Sequence, residues 1–546
     1  MLQEDYEEFT ESQIKILEKY VTNTSSHIFA LRNLPEVIKG ALFSRYSRSS
    51  LGLRSLLLKE FVTNSEESAF SSIVASATST EENPADQALA IKRAQNFYDR
   101  ILDGYGDDSI AELGGAHLAL ENVSMLAAKT LEDCRVGGSP IEKSTRYMYF
   151  DQKVKGEYLF YKEPILMTSA YRDTYINTCN LLFETYSKLI PPLTAKIEEK
   201  MPHDPNVSKA AYNAALRAKV LDCLRGLLPA GTLTNLGMYG NGRFYEQLIH
   251  KLHCSNITEM QEVGKRMYEE LSKVIPSFIR RADINHHTHQ AYAQYYEAMN
   301  MELAMVTAQN MAFPDRNMER GVRLMSYDPD SVIKVAAALL FVNSDKSLDD
   351  LTRYCQELPE EELERILDAG CSSRENRRHK SPRALEHASF TFEILTDFGI
   401  YRDLHRHRLL TQERQLLSCD YGYCLPPEIE GMDIKADYQF ALQKAKEAYD
   451  TIATELPEEA QYVVPMAYNV RWYFQVNLRA LQWLCELRSQ AAGHPNYRLV
   501  AQQMASEVCR VFPAFERFFK FVDFEGYDLG RLGQEERKVE KQQLQS

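Results

Sequence analysis

The chain is 546 residues long, more than one ordinary domain holds and enough for two separate cores. Its apolar share of 44% and mean hydropathy of −0.40 are those of a globular protein, and no run of about 18 apolar residues supports a membrane-spanning helix. A formal net charge of −14 excludes a general nucleic-acid binder, which needs a basic face, although arginines converging locally can still hold a nucleotide.

The start, MLQEDYEEFTESQ, is acidic and polar, which argues against a secretory leader. Ten cysteines are scattered with no Cys-x-x-Cys pair, so the thiols read as reduced and the chain as cytoplasmic. In chain order, Gly106 to Glu112 leads into an apolar, small-residue stretch that reads as a helix through Ala128. Ser139 to Tyr147 reads as a loop entering a strand at Tyr147–Phe150. Residues 155–215 read as additional helical material, and Ala291 to Ala312 as a Met- and Ala-rich helix. That helix ends at Phe313-Pro314-Asp315, a candidate boundary because proline disfavours helix before it. Val332–Phe341, Leu351–Leu367 (with a helix start at Pro359) and Arg498–Val511 have helical spacing. Phe390 to Ile394 reads as a strand, and the polar end from Gln534 to Ser546 as disordered. Helices outnumber strands, which predicts the α+β class.

Internal similarity organises the chain further. Leu227-Leu228-Pro229 precedes Asn241-Gly242-Arg243 by twelve residues, and Val463-Val464-Pro465 precedes Asn477-Leu478-Arg479 by the same twelve. Upstream, the segment ending at Glu112 matches Ser381 to His387, with Glu112 against Glu386. The spacing predicts two diverged copies, residues 1–312 and 313–546.

Two stretches carry candidate chemistry. Arg402, His405, Arg406, His407, Arg408 and Arg414 form a basic cluster flanked by Leu404, Leu409, Leu410, Leu416 and Leu417. A solvated helix face is the plain reading, but the leucines bring part of the cluster to a core, where guanidinium groups require anions. Glu142, Ser144 and Arg146 offer a carboxylate, a hydroxyl and a guanidinium within five residues. Downstream, Arg225 of the first copy faces Gln461 of the second, while Arg488 of the second faces Leu252 of the first. The losses are complementary. His286-His287-Thr288-His289 has no supporting carboxylate or cysteine, so no metal site is read there.

Arg406-His407-Arg408 and Glu142-x-Ser144-x-Arg146-Tyr147 resemble the start and the end of the single signature of the flavin-dependent thymidylate synthases, with each half kept in a different copy. The resemblance implies two tandem copies of that family's fold, with helices around a central antiparallel sheet. It implies conversion of dUMP to dTMP with FAD as cofactor, methylenetetrahydrofolate as carbon donor and NADPH as reductant. Family sites lie between subunits of a tetramer, so this chain is expected to form one good site per pseudo-dimer, and a homodimer to rebuild the pseudo-tetramer. By the same resemblance Arg146 and Arg225 would hold the dUMP phosphate, with Glu142 and Ser144 near the nucleotide. Arg406 would polarise the uracil and Arg488 would reach the same nucleotide. His407, Arg408 and Leu409 would line the flavin, with Asn477, Arg479, Asn241 and Arg243 as further flavin contacts. Neither nucleic acid nor membrane is an expected partner.

The sequence departs from the pattern in several places. Asp403 stands where the family usually has a glutamine near the base, and Thr411 replaces a serine. Leu416 and Ser418 replace the serine and final arginine in the second copy, and Cys134-Arg135-Val136 replaces Arg-His-Arg in the first. A family histidine five residues before the helix glutamate is Asp107 in one copy and Ser381 in the other. Asp403 leaves open a methylene transferase acting on another pyrimidine nucleotide. The missing histidine leaves open a non-catalytic nucleotide- or flavin-binding homologue.

Overall fold

The computed structural model describes residues 8–34, 36–47, 49–62, 111–133, 136–310 and 317–544. The chain divides into two compact units. The first comprises residues 1–120, 136–141 and 236–312; the second comprises 121–135, 142–235 and 313–546. Helices and antiparallel sheets make up both copies, as the α+β expectation required.

The strands are β1 (Gly115–Ser124), β2 (Gly138–Glu142), β3 (Lys153–Val154), β4 (Glu157–Tyr158), β5 (Leu233–Asn241), β6 (Gly321–Tyr327), β7 (Ser389–Asp397), β8 (Thr411–Arg414) and β9 (Asn469–Asn477). The sheet of the first copy has the order β1-β5-β2, and that of the second β6-β7-β9-β8. The last three strands repeat the first copy's order, β7 for β1, β9 for β5 and β8 for β2. In the second unit β7 pairs with β9 along nine residues. Phe390, Phe392 and Ile394 alternate into the core opposite Val476, Phe474 and Trp472, as a period of two dictates.

Each copy leaves its strands by the same device. Ser124 ends β1 and caps the helix Met125–Glu132 by accepting from Ala127 N at 2.9 Å. Asp397 ends β7 and caps Phe398–Leu404 by accepting from Ile400 N at 3.0 Å. Asn241 and Asn477 do the same at the ends of β5 and β9, accepting from Phe244 N and Ala480 N at 2.9 Å each. Side-chain oxygens at these positions satisfy helix N–H groups that have no partner within the helix.

Inside the second unit the copies meet in a short antiparallel bridge centred on Pro229 and Pro465. Ala230 N donates to Val464 O, and Met466 N to Leu228 O, both at 2.9 Å. Gly231 N donates to Tyr462 O at 2.8 Å, and Ala467 N to Gly226 O at 2.9 Å. Each bond becomes its partner when the copies are exchanged, which is the signature of a local twofold relation. The match extends outward: Met125 N to Thr232 O is answered by Phe398 N to Tyr468 O, and Lys143 N to Asn235 O by Gln415 N to Arg471 O. Ser144 and Arg146 therefore correspond to Leu416 and Ser418, as read from the sequence. The first copy is one residue longer than the second between these two pairs of bonds, and the sequence match of Cys134-Arg135-Val136 to Arg-His-Arg stands as an expectation. Cys134 and Arg135 themselves lie outside the described residues, as do Gly106–Ile110 and Phe313-Pro314-Asp315.

Other local expectations are revised. Residues 115–124 form a strand, with a helix beginning only at Met125, because sheet pairing overrides the small residues' weak helical preference. The strand near the signature is β2, before Lys143. Beyond it, Tyr147 N and Met148 N return to Ser144 O and make a turn where a strand was expected. Leu351–Leu367 is two helices, Leu348–Glu357 and Glu360–Ala369, broken before Pro359. Residues 155–215 hold β4, whose hairpin partner β3 precedes them, and the helices Pro164–Thr168, Arg172–Lys200 and the start of Lys209–Leu224. The C-terminal stretch read as disordered is a helix, Leu532–Gln543. Its polar composition is that of a solvated face held by an i,i+4 pair, Arg531–Glu535 at 2.8 Å.

Candidate active site

The signature halves converge within the second unit. Glu142, at the end of β2, is buried and receives Arg402 at 2.6 Å and Lys129 at 2.9 Å, with Arg406 at 3.8 Å. Lys129 also pairs with Glu132, and His405 Nε2 lies 2.8 Å from Asp133 Oδ1. Burial alone would raise the Glu132 carboxyl, but Lys129, His405 and Arg406 outweigh it and hold the group down at about 2. The Glu142 carboxyl is likewise held below its ordinary range, burial being outweighed by Arg402 and Lys129. Buried carboxylates beside buried cations remain charged because each supplies the other's lost solvation.

A second cluster adjoins through the helix Lys209–Leu224 and its continuation. Arg146 grips Asp222 with two bonds, 2.6 Å from Nε and 2.7 Å from Nη2, and its Nη1 lies 3.2 Å from the Tyr497 hydroxyl. Arg225 meets Asp403 at 2.9 Å. Arg146 and Arg488 both lie 5.6 Å from the centre of the Tyr497 ring. Arg488 Nε donates to His407 Nε2 at 2.9 Å, which assigns that ring nitrogen as an acceptor. Burial, then the nearby Arg488, push His407 well below the usual histidine range and keep it neutral. His494 is pushed down to about 4 by burial and by Arg225.

Arg406, His407, Arg408 and Leu409 line a cavity of 740 Å³ together with Asn477, Arg479 and Arg488. Trp483 and Leu487 give it apolar lining, and Arg377 and Arg378 add two more guanidinium groups. The volume is that of an ordinary cofactor site, and the mixture of apolar lining and guanidinium groups suits a planar ring joined to an anionic chain. Arg479 is fixed by Glu386 at 2.8 Å and by the Ser381 carbonyl at 2.8 Å. Ser144 accepts from Arg146 N at 3.2 Å and holds the turn that aims Arg146. Asn241 and Arg243 belong to the first unit, where Asn241 caps the helix Gly242–His253 and Arg243 pairs with Glu112 at 2.7 Å. That pair is the counterpart of Arg479–Glu386, as the matched glutamates required.

Sequence reasoning missed Lys129, Glu132, Asp222 and Tyr497. Lys129 occupies Arg402's place in the first copy, so aligning the copies by their capping residues would have found it. Asp222 lies one helical turn before Arg225, a weak signal. Among the described residues no group of three or more His, Cys, Asp or Glu side chains is set to hold a metal ion, and the cysteines are free thiols. None of the described helices is long and apolar enough to cross a membrane.

Comparison with known proteins gives the same two-part pattern. The family model described as thymidylate synthase complementing protein matches residues 58–277 and again 323–514. A UPF0159 protein of Chlamydia muridarum is 54% identical over 531 residues, covering 97% of this chain and 98% of that one. A UPF0159 protein of Thermoplasma acidophilum is 34% identical over 529 residues, 92% of this chain and 98% of its own. A flavin-dependent thymidylate synthase of Clostridium tetani is 27% identical over 216 residues, which is 35% of this chain and 83% of that protein.

Proposed function

We propose that this chain, which belongs to the thymidylate synthase complementing protein family and matches it twice in succession, is a flavin-dependent thymidylate synthase that converts dUMP to dTMP. The observation that carries the reading is the meeting of Glu142, from the first half of the chain, with Arg402 and Arg406 from the second. Each half alone lacks the other's charges. Arg406 is the group we assign to polarising the uracil. Arg146, Arg225 and Arg488 are assigned to the nucleotide, with Glu142 and Ser144 beside it. Exchange of Asp222 and Asp403 for phosphate oxygens would be the binding step, since a guanidinium fork fits either anion. His407, Arg408, Leu409, Asn477 and Arg479 would hold FAD, whose chemistry when bound is the passage of hydride and methylene from NADPH and methylenetetrahydrofolate. The protein's own contribution is orientation and fixed charge. Asn241 and Arg243, family flavin contacts by resemblance, are assigned to the same role in the assembled dimer. We place the enzyme in the cytoplasm as a homodimer. The helix His287–Asn310 supports the dimer, because Tyr295, Met301, Leu303 and Met305 on it are all more than half exposed.

The test is the visible absorption of the purified protein before and after dUMP, followed by turnover. Flavin bands that shift on dUMP addition, with dTMP formed, support the reading. A colourless protein that FAD cannot reconstitute ends it and favours a non-catalytic homologue. One observation favours a second reading: Asp403, paired with Arg225, stands where the family usually has a glutamine near the base, which would suit a pyrimidine other than uracil. Turnover of dUMP at ordinary enzymic rates would dismiss that alternative.

A further inference from the structure

A cavity of 1180 Å³ in the second unit adjoins the candidate active site, and its charged lining is nearly all cationic. Eight of its lining side chains are arginine or lysine and a single one, Glu535, is acidic, in a chain whose formal net charge is −14. Such a concentration of one sign runs against the composition of the molecule and produces a focused field for anions. Three of the cations are already answered, Arg146 by Asp222 and both Arg531 and Lys538 by Glu535. Arg217, Arg378, Arg537 and Lys541 have no carboxylate partner among the described residues.

The C-terminal helix Leu532–Gln543 builds one wall. Arg531, Gln534, Glu535, Lys538, Lys541 and Gln542 recur at helical spacing and share one face. From Arg531 to Lys541 that face runs about 15 Å at the helical rise. The helix is anchored at its start. Arg531 is buried with its guanidinium 4.2 Å above the ring of Tyr147, the last residue of the early signature half. Gly530 passes so close to the Ala491 carbonyl that a Cβ would lie 2.0 Å from it. The family match ends at residue 514, so this wall is an addition to the matched segments. Arg377 and Arg378 line both this cavity and the 740 Å³ one, so a ligand seated in the smaller has a charged path into the larger.

Cations strung over such a length suit an anion whose charges are also strung out. A triphosphate crowds its charges together, whereas a γ-linked glutamate chain sets one carboxylate on each residue along its length. We propose that the cavity under the C-terminal helix binds an extended polycarboxylate, the oligo-γ-glutamyl tail of the folate carbon donor. The proposal rests on the thymidylate synthase reading for the identity of the head group, and on the cavity alone for the tail.

Two measurements on the full chain separate those dependencies. Calorimetric titration with free γ-linked pentaglutamate, which carries no pterin, tests the cavity without any turnover. Binding that weakens as salt is raised, and that falls about tenfold in the double variant Arg537→Gln/Lys541→Gln, is the expected result. Arg217→Gln, on a different helix, should weaken it as well, so a folding defect of one variant does not decide the matter. In turnover, pentaglutamylated donor should show a KM about tenfold below the monoglutamate at the same kcat, since a remote tail contributes uniform binding. The double variant should lose that advantage and keep the monoglutamate KM. Absence of peptide binding, or displacement of the peptide by tripolyphosphate at lower concentration, would overturn the tail site. Peptide binding in a protein that turns over no folate would sustain the site and remove the enzymatic reading.

Discussion

Glu142 is one carboxylate on which three cations converge, and its side chain is 1% exposed. Arg402→Met takes away its shortest contact and leaves a buried charge under-compensated, at a cost of about 3–5 kcal/mol. The urea midpoint should fall accordingly, and Arg402→Lys should recover part of the loss. An unchanged midpoint would show that Lys129 and Arg406 suffice. The same cluster sets an acid limit. The folded Glu132 value of about 2 lies below the ~4.3 of an unfolded glutamate. Its stabilisation is therefore complete above about pH 4.3 and is lost as pH falls through about 2. His494 acts in the window above. Its folded value of about 4 lies below the ~6.5 of an unfolded histidine, so the unfolded chain takes up its proton first and stability declines from about pH 6.5 to about pH 4. Urea midpoints measured at successive pH values should show this upper limb, and His494→Gln should lessen it, with the remainder due to other histidines held neutral by burial, His407 among them. Arg406-His407-Arg408 and Glu142-x-Ser144-x-Arg146 could be read from the sequence because each is contiguous. Tyr497 could not, since it meets Arg146 from 351 residues away and no local pattern encodes that contact.

The bridge around Pro229 and Pro465 joins the copies at the scale of elements, and it depends on close backbone approach. A Cβ on Gly231 would lie 2.9 Å from the Tyr462 carbonyl and 2.7 Å from the Tyr175 hydroxyl. Gly231→Val should force the two segments apart and cost ~1–3 kcal/mol or more. Thermal unfolding of that variant tests the point, and an unaltered Tm would mean the bridge relaxes freely. The equal twelve-residue spacing behind each proline was legible because strand, cap and helix repeat as one block. β1 was not, since its Gly-Ala-Leu composition has no clear period and only its neighbours in the sheet make it a strand. The C-terminal helix was missed for the opposite reason: it has little apolar content, and the Arg531–Tyr147 contact that anchors it is remote in sequence.

For the whole molecule, the site joins both halves within one chain, and that makes a kinetic prediction. Arg146→Ala and Arg406→Ala should each cut dUMP turnover by at least ~100-fold. Mixing the two inactive variants should restore nothing, because Glu142 and Arg406 that meet belong to the same polypeptide. Recovery on mixing would mean that Arg146 and Arg406 of one working site come from different chains. Arg135→Ala, in the decayed counterpart, should leave turnover largely intact, and an equal loss there would count against division of labour between copies. The local twofold relation has one more consequence. On a true symmetry axis a side chain meets its own image, so like must face like. Here Lys129 and Arg402 are images that share Glu142, and Glu132 and His405 are images that face each other at 3.7 Å. An acid opposite a base is a pairing that identical subunits cannot make at their axis. Fusion turns a place where the chemistry had to be self-complementary into one where two different residues are matched, and a substitution there is felt once instead of twice.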